Sequence, residues 1–391
     1  MIRKVCVVTG SRAEYGVLRP LIKEIKEDHG LKLQLVVTGT HLSKEFGLTY
    51  KEINQDGFKI DQKVNIYLNS DSSFGITKSM ADELVGISKV YLKLKPDIIV
   101  VLGDRFEIFS AAVAAVVVGI PIAHINGGEV TKGAIDDVFR HSITKMSSFH
   151  FVSTNEYKKR VIQLGENRKR VFNVGSLSID SIKKLKLLSK KELKKILGFK
   201  FKSRNLLVTY HPVTLEKNTA GKQFKYLLSV LDSLKDTQLI FTKANADTGG
   251  KKINCLIDKY TAKNPDKAIS FASLGHLRYL SMMKVVNGVI GNSSSGIIEA
   301  PSFKVATINI GDRQEGRLRT KSIIDCKPTK KEISRAIAKI YTKEFQKKLK
   351  RVRSPYGDGN AATRIKKVLK TSKLKGILKK SFYDIGIKQK G

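Results

Sequence analysis

A group of small and hydroxyl-bearing residues follows an apolar segment late in the chain, and these residue types suit the binding of an anion. Val285–Ile290 predicts a buried strand, and the turn Gly291–Gly296 comes directly after it. Such a turn leaves backbone N–H groups bare at the start of a helix, and the hydroxyls of Ser293 and Ser294 add further donors. Glu299, one turn later, can hold the hydroxyl groups of a ribose. The pattern favours a nucleotide diphosphate, and a well-capped helix after a tight turn is the structural alternative.

An arginine follows each of two predicted strands in the first half of the chain. Arg12 comes after Val5–Thr9 at the start of a helix, where the helix dipole disfavours a cation, so we interpret it as facing a phosphate. Asp104 and Arg105 come after Ile98–Leu102, where an acid and a cation side by side can act as a base and an anion clamp. The structural alternatives are a surface position for Arg12 and a helix N-cap for Asp104.

Three carboxylates come close together after the predicted strand Pro121–Ile125. They are Glu129, Asp136 and Asp137. Carboxylates at this density cost free energy unless a partner neutralises them or a reaction uses them. We therefore favour a functional role for them, while Asp136 and Asp137 also suit the first turn of a helix that ends near Met146.

Polar residues also end the predicted strands of the second half. His211 follows Leu206–Tyr210 and is expected to point its imidazole toward the cleft between the two domains. A single histidine at a strand end is more often structural, but the polar residues at the other strand ends favour a functional role. Asn245 and Asp247 follow the next strand, and Arg313 follows the last one. We expect these three residues to complete a nucleotide pocket.

Alternating strands and helices must position these residues. The apolar patterns predict strands at Val5–Thr9, Leu33–Thr38, Ile98–Leu102, Pro121–Ile125, Phe149–Val152, Val171–Val174, Leu206–Tyr210, Gln238–Thr242, Ala268–Phe271, Val285–Ile290 and Val305–Ile310. Helices are predicted between them, including Val17–Glu27, Met80–Leu94, Gln223–Leu234, Lys252–Thr261 and Lys330–Tyr341. The alternation predicts an α/β protein with two doubly wound, Rossmann-like domains whose ligands bind at the carboxyl ends of the strands.

The chain divides into three predicted segments. Residues 1–176 form the first domain and carry the acid–base groups, and residues 177–358 form the second domain with the nucleotide site. A basic helical segment at residues 359–391 is expected to pack back on the first domain. The first strand is not followed by G-x-G-x-x-G, and the chain has no G-x-x-x-x-G-K-[ST] loop. Neither a nicotinamide-binding domain nor a P-loop ATPase is therefore expected.

The composition is that of a basic protein with sizeable cores. Among 391 residues, 41% are hydrophobic and 28% are charged, and the net charge is +38. Residues 1–150 carry 19 basic and 17 acidic side chains, whereas residues 151–391 carry 54 and 18. Most of the basic residues are lysines without the interleaved aromatic residues that stack on bases, so we expect a solvated surface and no nucleic-acid partner. An anionic membrane surface is a weaker alternative.

Cysteine usage and hydropathy indicate a reducing compartment. Cys6, Cys255 and Cys326 are far apart and form neither a metal-binding pattern nor a disulfide framework. A strand-like segment follows the first four residues where a signal peptide would need its apolar core, and the charge-free run Ile108–Ala123 is too short to span a bilayer. We therefore expect a cytoplasmic protein without a metal, a cofactor or an integral membrane segment.

Seven motifs, read in chain order, resemble those of one enzyme family. They are SRAEYG, GDRFE, HINGGEVTKGAIDD, HPVT, NADTGGK, GNSSSGIIEA and GDRQEGR, and together they resemble the hydrolysing UDP-N-acetylglucosamine 2-epimerases over nearly the whole chain. The resemblance implies a GT-B glycosyltransferase-like fold with the active site in a cleft that the two domains face, no metal, and a homodimer or homotetramer. It also implies conversion of UDP-N-acetylglucosamine and water to N-acetylmannosamine and UDP, the first step of sialic-acid-type biosynthesis.

The mechanism of that family gives each candidate residue a task. Anti elimination removes the C2 proton and UDP to leave a 2-acetamidoglucal, and water then adds to the double bond. The resemblance implies that acid–base work falls to Asp104, Glu129, Asp136 or Asp137, and His211. It implies that the diphosphate is bound by Arg12, Arg105, His211, Ser293 and Ser294. Weaker pocket contacts are expected from Asn245, Asp247 and Arg313, and ribose contacts from Glu299.

The chain departs from some relatives at two positions. Some have Asp where this chain has Glu14, and some have a carboxylate where it has Asn126. The second departure shifts more of the expected acid–base work onto Glu129.

Three alternatives to this reaction remain open at this point. The same chemistry could act on a UDP-2,4-diacetamido-2,4,6-trideoxyhexose, as in legionaminic-type pathways, with a sugar pocket formed by Leu42–Tyr50 and Asp71–Met80. A glycosyltransferase of the GT-B fold would instead move the sugar to an acceptor. A non-catalytic nucleotide-sugar binder is disfavoured, because binding alone would not favour acids beside a diphosphate.

Overall fold

The structure is a computed structural model of the chain and describes residues 2–66, 68, 72–131, 135–213, 219–244 and 249–385. The described residues form two parallel sheets flanked by helices and fall into two compact units. The first unit comprises Met1–Glu129, Asp136–Lys183 and Tyr356–Gly391, and the second comprises Val130–Ile135 and Lys184–Pro355. Among these described residues, no helix is both long enough and apolar enough to cross a membrane.

Parallel strands form the sheet of the first unit. They are β1 (Arg3–Thr9), β2 (Leu31–Val37), β3 (Gln62–Lys63), β4 (Ile98–Leu102), β5 (Ile122–Ile125), β6 (Phe149–Val152) and β7 (Val171–Asn173). Their order across the sheet is β3-β2-β1-β4-β5-β6-β7. β4 is apolar throughout, and the central strands β1, β4 and β5 are buried over most of their length, with His124 of β5 as a buried polar residue. This burial is expected for a parallel sheet that helices cover on both faces.

Helices on the two faces of this sheet bury separate cores. They are α1 (Arg12–Lys26), α2 (Tyr50–Gln55), α3 (Ser73–Leu94), α4 (Phe106–Val118), α5 (Asp136–Met146), α6 (Asn155–Gln163) and α7 (Leu177–Lys184). Because side chains alternate along a strand, Val5 and Val7 of β1 enter the core with α1, whereas Cys6 and Val8 enter the core with α3 and α4.

The second unit repeats this plan with its own sheet. Its strands are β8 (Arg204–Thr209), β9 (Thr237–Thr242), β10 (Ala268–Phe271), β11 (Gly288–Gly291), β12 (Ala306–Ile310) and β13 (Ile323–Cys326). All pairings are parallel, in the order β10-β9-β8-β11-β12-β13. The helices are α8 (Lys190–Leu197), α9 (Ala220–Asp232), α10 (Gly250–Lys263), α11 (His276–Val285), α12 (Ser294–Ile298), α13 (Lys330–Ile340) and α14 (Lys343–Lys350).

This architecture confirms the predicted α/β class with two Rossmann-like domains. The predicted strand Val285–Ile290 is wrong in its first part, because α11 continues to Val285 and β11 begins only at Gly288. A short apolar run does not by itself distinguish the buried end of a helix from the start of a strand. The edge strands β3 and β13 lack a buried apolar run, and the apolar pattern did not predict them.

The C-terminal helix α15 (Ala361–Thr371) belongs to the first unit, where its apolar face packs against α1. Its first turn is capped from α7 rather than from its own sequence. The carboxylate of Asp180 is fully buried and accepts hydrogen bonds from the backbone N–H groups of Ala361 (3.0 Å) and Ala362 (2.9 Å). These bonds satisfy donors that a helix start otherwise leaves without a partner.

The two units differ slightly in extent from the predicted segments. The first unit extends to residue 183 instead of 176, and the chain returns to it at Tyr356 instead of residue 359. The two passages of the chain lie side by side, since Ser176 N–H donates to the carbonyl of Tyr356 (2.8 Å) and Gly175 packs closely on Gly357. This contact and the Asp180 cap keep α7 with the first unit.

Replacing Asp180 tests how strongly this cap stabilises the first unit. We expect Asp180→Ala to lower the free energy of unfolding by about 2–4 kcal/mol, because two buried N–H groups lose a charged acceptor. Chemical denaturation measures the loss. Asp358→Ala is the matched control, because Asp358 pairs with Arg364 at an exposed position and such pairs contribute little. Equal losses in the two variants would contradict the structural role given to Asp180.

Candidate active site

The strand order of the first unit reverses between β1 and β4, and candidate residues lie where these strands end. In such sheets the connections after the two central strands leave in opposite directions and open a crevice at the carboxyl edge. Arg12 is the first residue of α1, and Asp104 and Arg105 directly follow β4. The neighbouring strand β5 is followed by Glu129, Asp136 and Asp137.

Arg140 of α5 contacts three of the predicted acidic residues. Its side chain is 2% exposed and forms ion pairs with Asp104 and with Asp137, the latter at 2.9 Å from Nη1 to Oδ1. The same nitrogen donates to the backbone carbonyl of Glu129 (3.0 Å). A buried guanidinium requires such partners, so Arg140 holds these groups in one cluster. Arg140 comes three residues after the end of the HINGGEVTKGAIDD motif and was not among the predicted site residues.

The acids in this cluster differ in their surroundings. Glu129 is buried and accepts a long hydrogen bond from Ser153 (3.5 Å), whereas the side chains of Asp104 and Asp137 are 20% and 24% exposed. Asp136 and Asp137 also occupy the first turn of α5, as the structural alternative predicted. The N-cap alternative for Asp104 is wrong, because Arg105 occupies the N-cap position of α4.

His124 of β5 holds the turn that precedes Asp104. Its Nε2 lies 2.8 Å from the carbonyl oxygen of Gly103, and its Nδ1 lies 3.1 Å from the hydroxyl of Thr144. Burial lowers the pKa of the imidazole to about 3, so His124 is neutral in the working pH range. Gly103 has a φ of +79°, which glycine adopts readily. The end of β4 is therefore fixed by a structural histidine.

Arg105 contacts carboxylates inside the first unit. Its Nε lies 3.2 Å from Glu107 Oε2 and 3.9 Å from Glu14 Oε1, and its side chain is 11% exposed. Burial, followed by the nearby Glu107, raises the pKa of Glu14 to about 8, while Arg105 opposes this shift. Burial also raises the pKa of Glu83 well above its usual range. Glu83 and Glu107 were not among the predicted site residues, because single glutamates in helices are normally solvated, and Glu14 was noted only as a position where some relatives have Asp.

In the second unit the strand order reverses between β8 and β11, where Asn292 joins the two strand ends. Its Oδ1 accepts a hydrogen bond from His211 N–H (2.7 Å), and its Nδ2 donates to the carbonyl of His211 (2.8 Å). The carbonyl of Asn292 accepts hydrogen bonds from the side chains of Arg313 (3.1 Å) and Gln314 (2.9 Å). Asn292 is fully buried, so this residue organises candidates from three separate segments.

The turn that was predicted to bind an anion is formed. The helix that follows it, α12, is too short to have a strong dipole. Gly291 has a φ of +137°, and a Cβ there would lie 1.8 Å from the carbonyl oxygen of Thr209, so only glycine fits. Ser293 caps α12 by accepting from Ser295 N–H (3.4 Å). Because α12 has only five residues, the hydroxyl groups and the loop N–H groups matter more here than a helix dipole.

The remaining predicted residues are placed as follows. Ser294 is the first residue of α12, and Glu299 follows its last turn with a side chain that is largely buried. Asn245 and Asp247 lie outside the residues that the structure describes. The first unit thus gathers acids around buried arginines, whereas the second unit presents hydroxyl, imidazole and guanidinium groups.

Comparisons with known proteins agree on one family. The family model described as UDP-N-acetylglucosamine 2-epimerase matches residues 23–370. A protein of Campylobacter jejuni named GDP/UDP-N,N'-diacetylbacillosamine 2-epimerase (hydrolyzing) is 49% identical over 98% of this chain and 99% of its own length. The polysialic acid biosynthesis protein P7 of Escherichia coli is 44% identical over 98% of both chains.

Solved structures share the fold at much lower identity. The UDP-N-acetylglucosamine 2-epimerase of Neisseria meningitidis, bound to UDP-N-acetylglucosamine, superposes with a TM-score of 0.79 at 19% identity, covering 94% of this chain and 99% of the other. This likeness supports the GT-B-like α/β fold. From the family match and the identity to full-length relatives, we conclude that the chain belongs to the UDP-N-acetylglucosamine 2-epimerase family.

Proposed function

We propose that the protein is a hydrolysing 2-epimerase that converts a UDP-sugar and water to UDP and the free 2-epimer. The observation that carries the proposal is the acid cluster around Arg140, in a chain 49% identical to a relative named as a hydrolysing 2-epimerase. Family membership alone leaves the reaction open, but a set of oriented acids supplies the proton transfers that C2 inversion requires.

The chemistry begins with an elimination. The bond from C1 to the diphosphate oxygen breaks and its electron pair leaves with UDP, while a carboxylate takes the C2 proton and a C1–C2 double bond forms. Water then adds its oxygen to C1, and a proton returns to C2 on the opposite face. Both proton transfers need carboxyl groups close to the sugar, and we assign them to the set Asp104, Glu129, Asp136 and Asp137.

Arg140 positions members of this set of carboxyl groups. Its ion pairs hold Asp104 and Asp137 as charged groups in defined positions, and its bond to the carbonyl of Glu129 fixes the backbone of that residue. Positive charge develops at C1 as UDP leaves, and nearby carboxylates stabilise it. A base that is already oriented does not have to reorganise during the reaction.

The second unit is proposed to bind the UDP part of the substrate. Ser293, Ser294 and the loop N–H groups suit the diphosphate, together with His211 and Arg313, which Asn292 fixes. Glu299 is proposed to accept the hydroxyl hydrogens of the ribose. Arg12 is a further candidate for the diphosphate, and the contacts of Arg105 with Glu14 and Glu107 favour a supporting role for that arginine.

For the sugar, we propose a 2,4-diacetamido-2,4,6-trideoxyhexose ahead of N-acetylglucosamine. Relatives that are 49% and 35% identical over almost the whole chain are named as diacetylbacillosamine 2-epimerases. The second candidate is N-acetylglucosamine, which would give N-acetylmannosamine. It is favoured by a relative that is 32% identical and named a UDP-N-acetylglucosamine 2-epimerase, and by the 44% identical polysialic acid protein.

Nuclear magnetic resonance of the released sugars distinguishes these candidates. We expect incubation with UDP-N,N'-diacetylbacillosamine in heavy water to release the free 2-epimer with deuterium at C2, at a higher kcat/KM than with UDP-N-acetylglucosamine. The reverse preference would select the second sugar. If hydrolysis released sugar of unchanged configuration and without deuterium, the elimination would be excluded and a glycosyltransferase would gain support.

Asp104→Asn tests the acid cluster. We expect kcat to fall about 100-fold or more, because an amide cannot accept the proton, while the fold persists since Arg140 keeps Asp137 as a partner. Titration calorimetry should show that this variant still binds UDP. Asp97→Asn, at the opposite end of β4, is the matched control and should turn over normally. Normal turnover in Asp104→Asn would remove this residue from the mechanism.

Asn292→Ala tests the nucleotide site of the second unit. We expect UDP affinity to fall about tenfold or more, because the backbone N–H and carbonyl of His211 lose their buried hydrogen-bond partners in the Asn292 side chain. Titration calorimetry with UDP measures the change. The control Asn309→Ala removes another buried asparagine of the same sheet, whose side chain bonds to Asp325 (2.6 Å), and should leave UDP affinity unchanged in the folded protein. Equal weakening in both variants would mean that Asn292 acts only through general stability.

A further inference from the structure

The chain continues past α15 as a segment that stays on the first unit. We call its residues 372–385 the C-terminal strap. Ile377 is buried in the core of this unit, and Arg170 donates to its carbonyl (3.1 Å). Farther along, Tyr383 N–H donates to the carbonyl of Gly165 (2.9 Å), and the ring of Phe382 occupies the space that a Cβ at Gly165 would need. The strap is therefore fixed to the segment that follows α6.

Lys380 differs from the other lysines of the strap in its surroundings. The others are exposed, namely Lys373, Lys375 and Lys379. The side chain of Lys380 is only 20% exposed, and its Nζ lies 2.7 Å from Glu166 Oε2. The same nitrogen donates to the backbone carbonyls of Lys145 (2.8 Å) and Ser147 (2.6 Å). An ammonium group has three donors, so these partners use all of them.

Glu166, which anchors Lys380, is a buried carboxylate surrounded by donors. It is 1% exposed, its Oε1 lies 2.7 Å from Lys145 Nζ, and its Oε2 lies 2.9 Å from His150 Nε2. Burial raises the pKa of Glu166, but the hydrogen bonds from His150 and the two lysines outweigh burial and lower the pKa to about 2. Burial lowers the pKa of His150, so a neutral imidazole donates to this carboxylate. Glu166 is therefore charged and holds Lys380 in place.

The two carbonyls that Lys380 contacts lie at the C-terminal end of α5, which ends at Met146. The last carbonyl groups of a helix have no partner within the helix. A lysine that donates to them satisfies these acceptors and interacts favourably with the negative end of the helix dipole. Lys380 therefore caps α5 from a segment that lies 233 and 235 positions farther along the chain than the two carbonyls.

The helix that Lys380 caps also carries the acid cluster. Arg140 of α5 pairs with Asp104 and Asp137. One turn later, the hydroxyl of Thr144 lies 3.1 Å from Nδ1 of His124, whose other ring nitrogen holds the turn before Asp104. A shift at the C-terminal end of α5 would therefore move Arg140 and the support of Asp104 together.

We propose that Lys380 is a positioning residue, which caps the end of α5 and thereby orients the acids that this helix holds around Arg140. The C-terminal strap then contributes to the reaction without contacting the substrate. Proton transfer depends steeply on geometry, and a displacement of about 1 Å can lower a rate about 100-fold. The activity part of this inference rests on the proposed function.

The test uses Lys380→Met and Lys380→Arg in the full chain. Methionine keeps an unbranched apolar side chain and removes the three donors. We expect kcat for release of the 2-epimer to fall about tenfold in Lys380→Met, because α5 is no longer held at its end. UDP affinity, measured by titration calorimetry, should stay unchanged, because α5 carries none of the residues proposed to bind UDP. Lys380→Arg keeps a cation with several donors and should recover most of kcat.

Lys370→Met is the matched control, because it removes the same charge from α15, where Lys370 pairs with Asp28 (2.8 Å) instead of capping α5. It should leave kcat unchanged. Wild-type kcat in Lys380→Met would overturn the inference. An equal loss of kcat in the two methionine variants, or a loss of kcat in Lys380→Met accompanied by an equal loss of UDP affinity, would also overturn it, because a merely structural role predicts those results.

Amide hydrogen exchange tests the cap without an activity assay. The backbone N–H groups in the last turn of α5 should exchange faster in Lys380→Met than in the wild type, because an uncapped helix end opens more often. Lys370→Met should exchange there like the wild type. Unchanged exchange at the end of α5 in Lys380→Met would contradict the inference. Failure of the proposed function would appear separately, as a wild type that releases no 2-epimer.

Discussion

The reversal of strand order in the middle of each sheet is the constraint on which the candidate site depends. All strands are parallel, so their carboxyl ends lie on one edge, and the connections after the two central strands diverge there. This constraint brings the turn from Gly10 to Arg12 next to Asp104 and Arg105, and in the other unit it brings His211 next to Asn292. Residues about 80 to 95 positions apart in the chain become neighbours because they follow strands that are adjacent in the sheet.

Burial then makes the charged groups of the first unit interdependent. Arg140 contacts Asp104 and Asp137, and Arg105 contacts Glu14 and Glu107. A buried ion is tolerated only when its partners are close and well oriented, so each arginine dictates where its acids can lie. The ion pairs that make the buried charges compatible with folding also orient the acids for the proposed acid–base chemistry.

The second unit differs from the first in that its candidate residues are held by hydrogen bonds to Asn292. The proposed diphosphate site must present donors to the ligand, and Asn292 provides internal hydrogen bonds that position His211 and Arg313 beside the serine turn. The glycine at 291 allows the strand end to pass against Thr209, where any side chain would collide. The two units thus share one topology and differ in the chemistry of their strand ends.

The sequence by itself determined the α/β class, the central strands and the strand ends that carry polar residues, because a strand buried on both faces is mostly apolar and its end is visible where polarity returns. It did not reveal the edge strands β3 and β13, the end of α11 or the partners of the candidate residues. The contacts of Arg140, Asn292, Glu14 and Glu107 were recognised only in the tertiary structure. Their roles depend on which side chains converge across distant segments, and that convergence is decided by packing and by the need to pair buried charges.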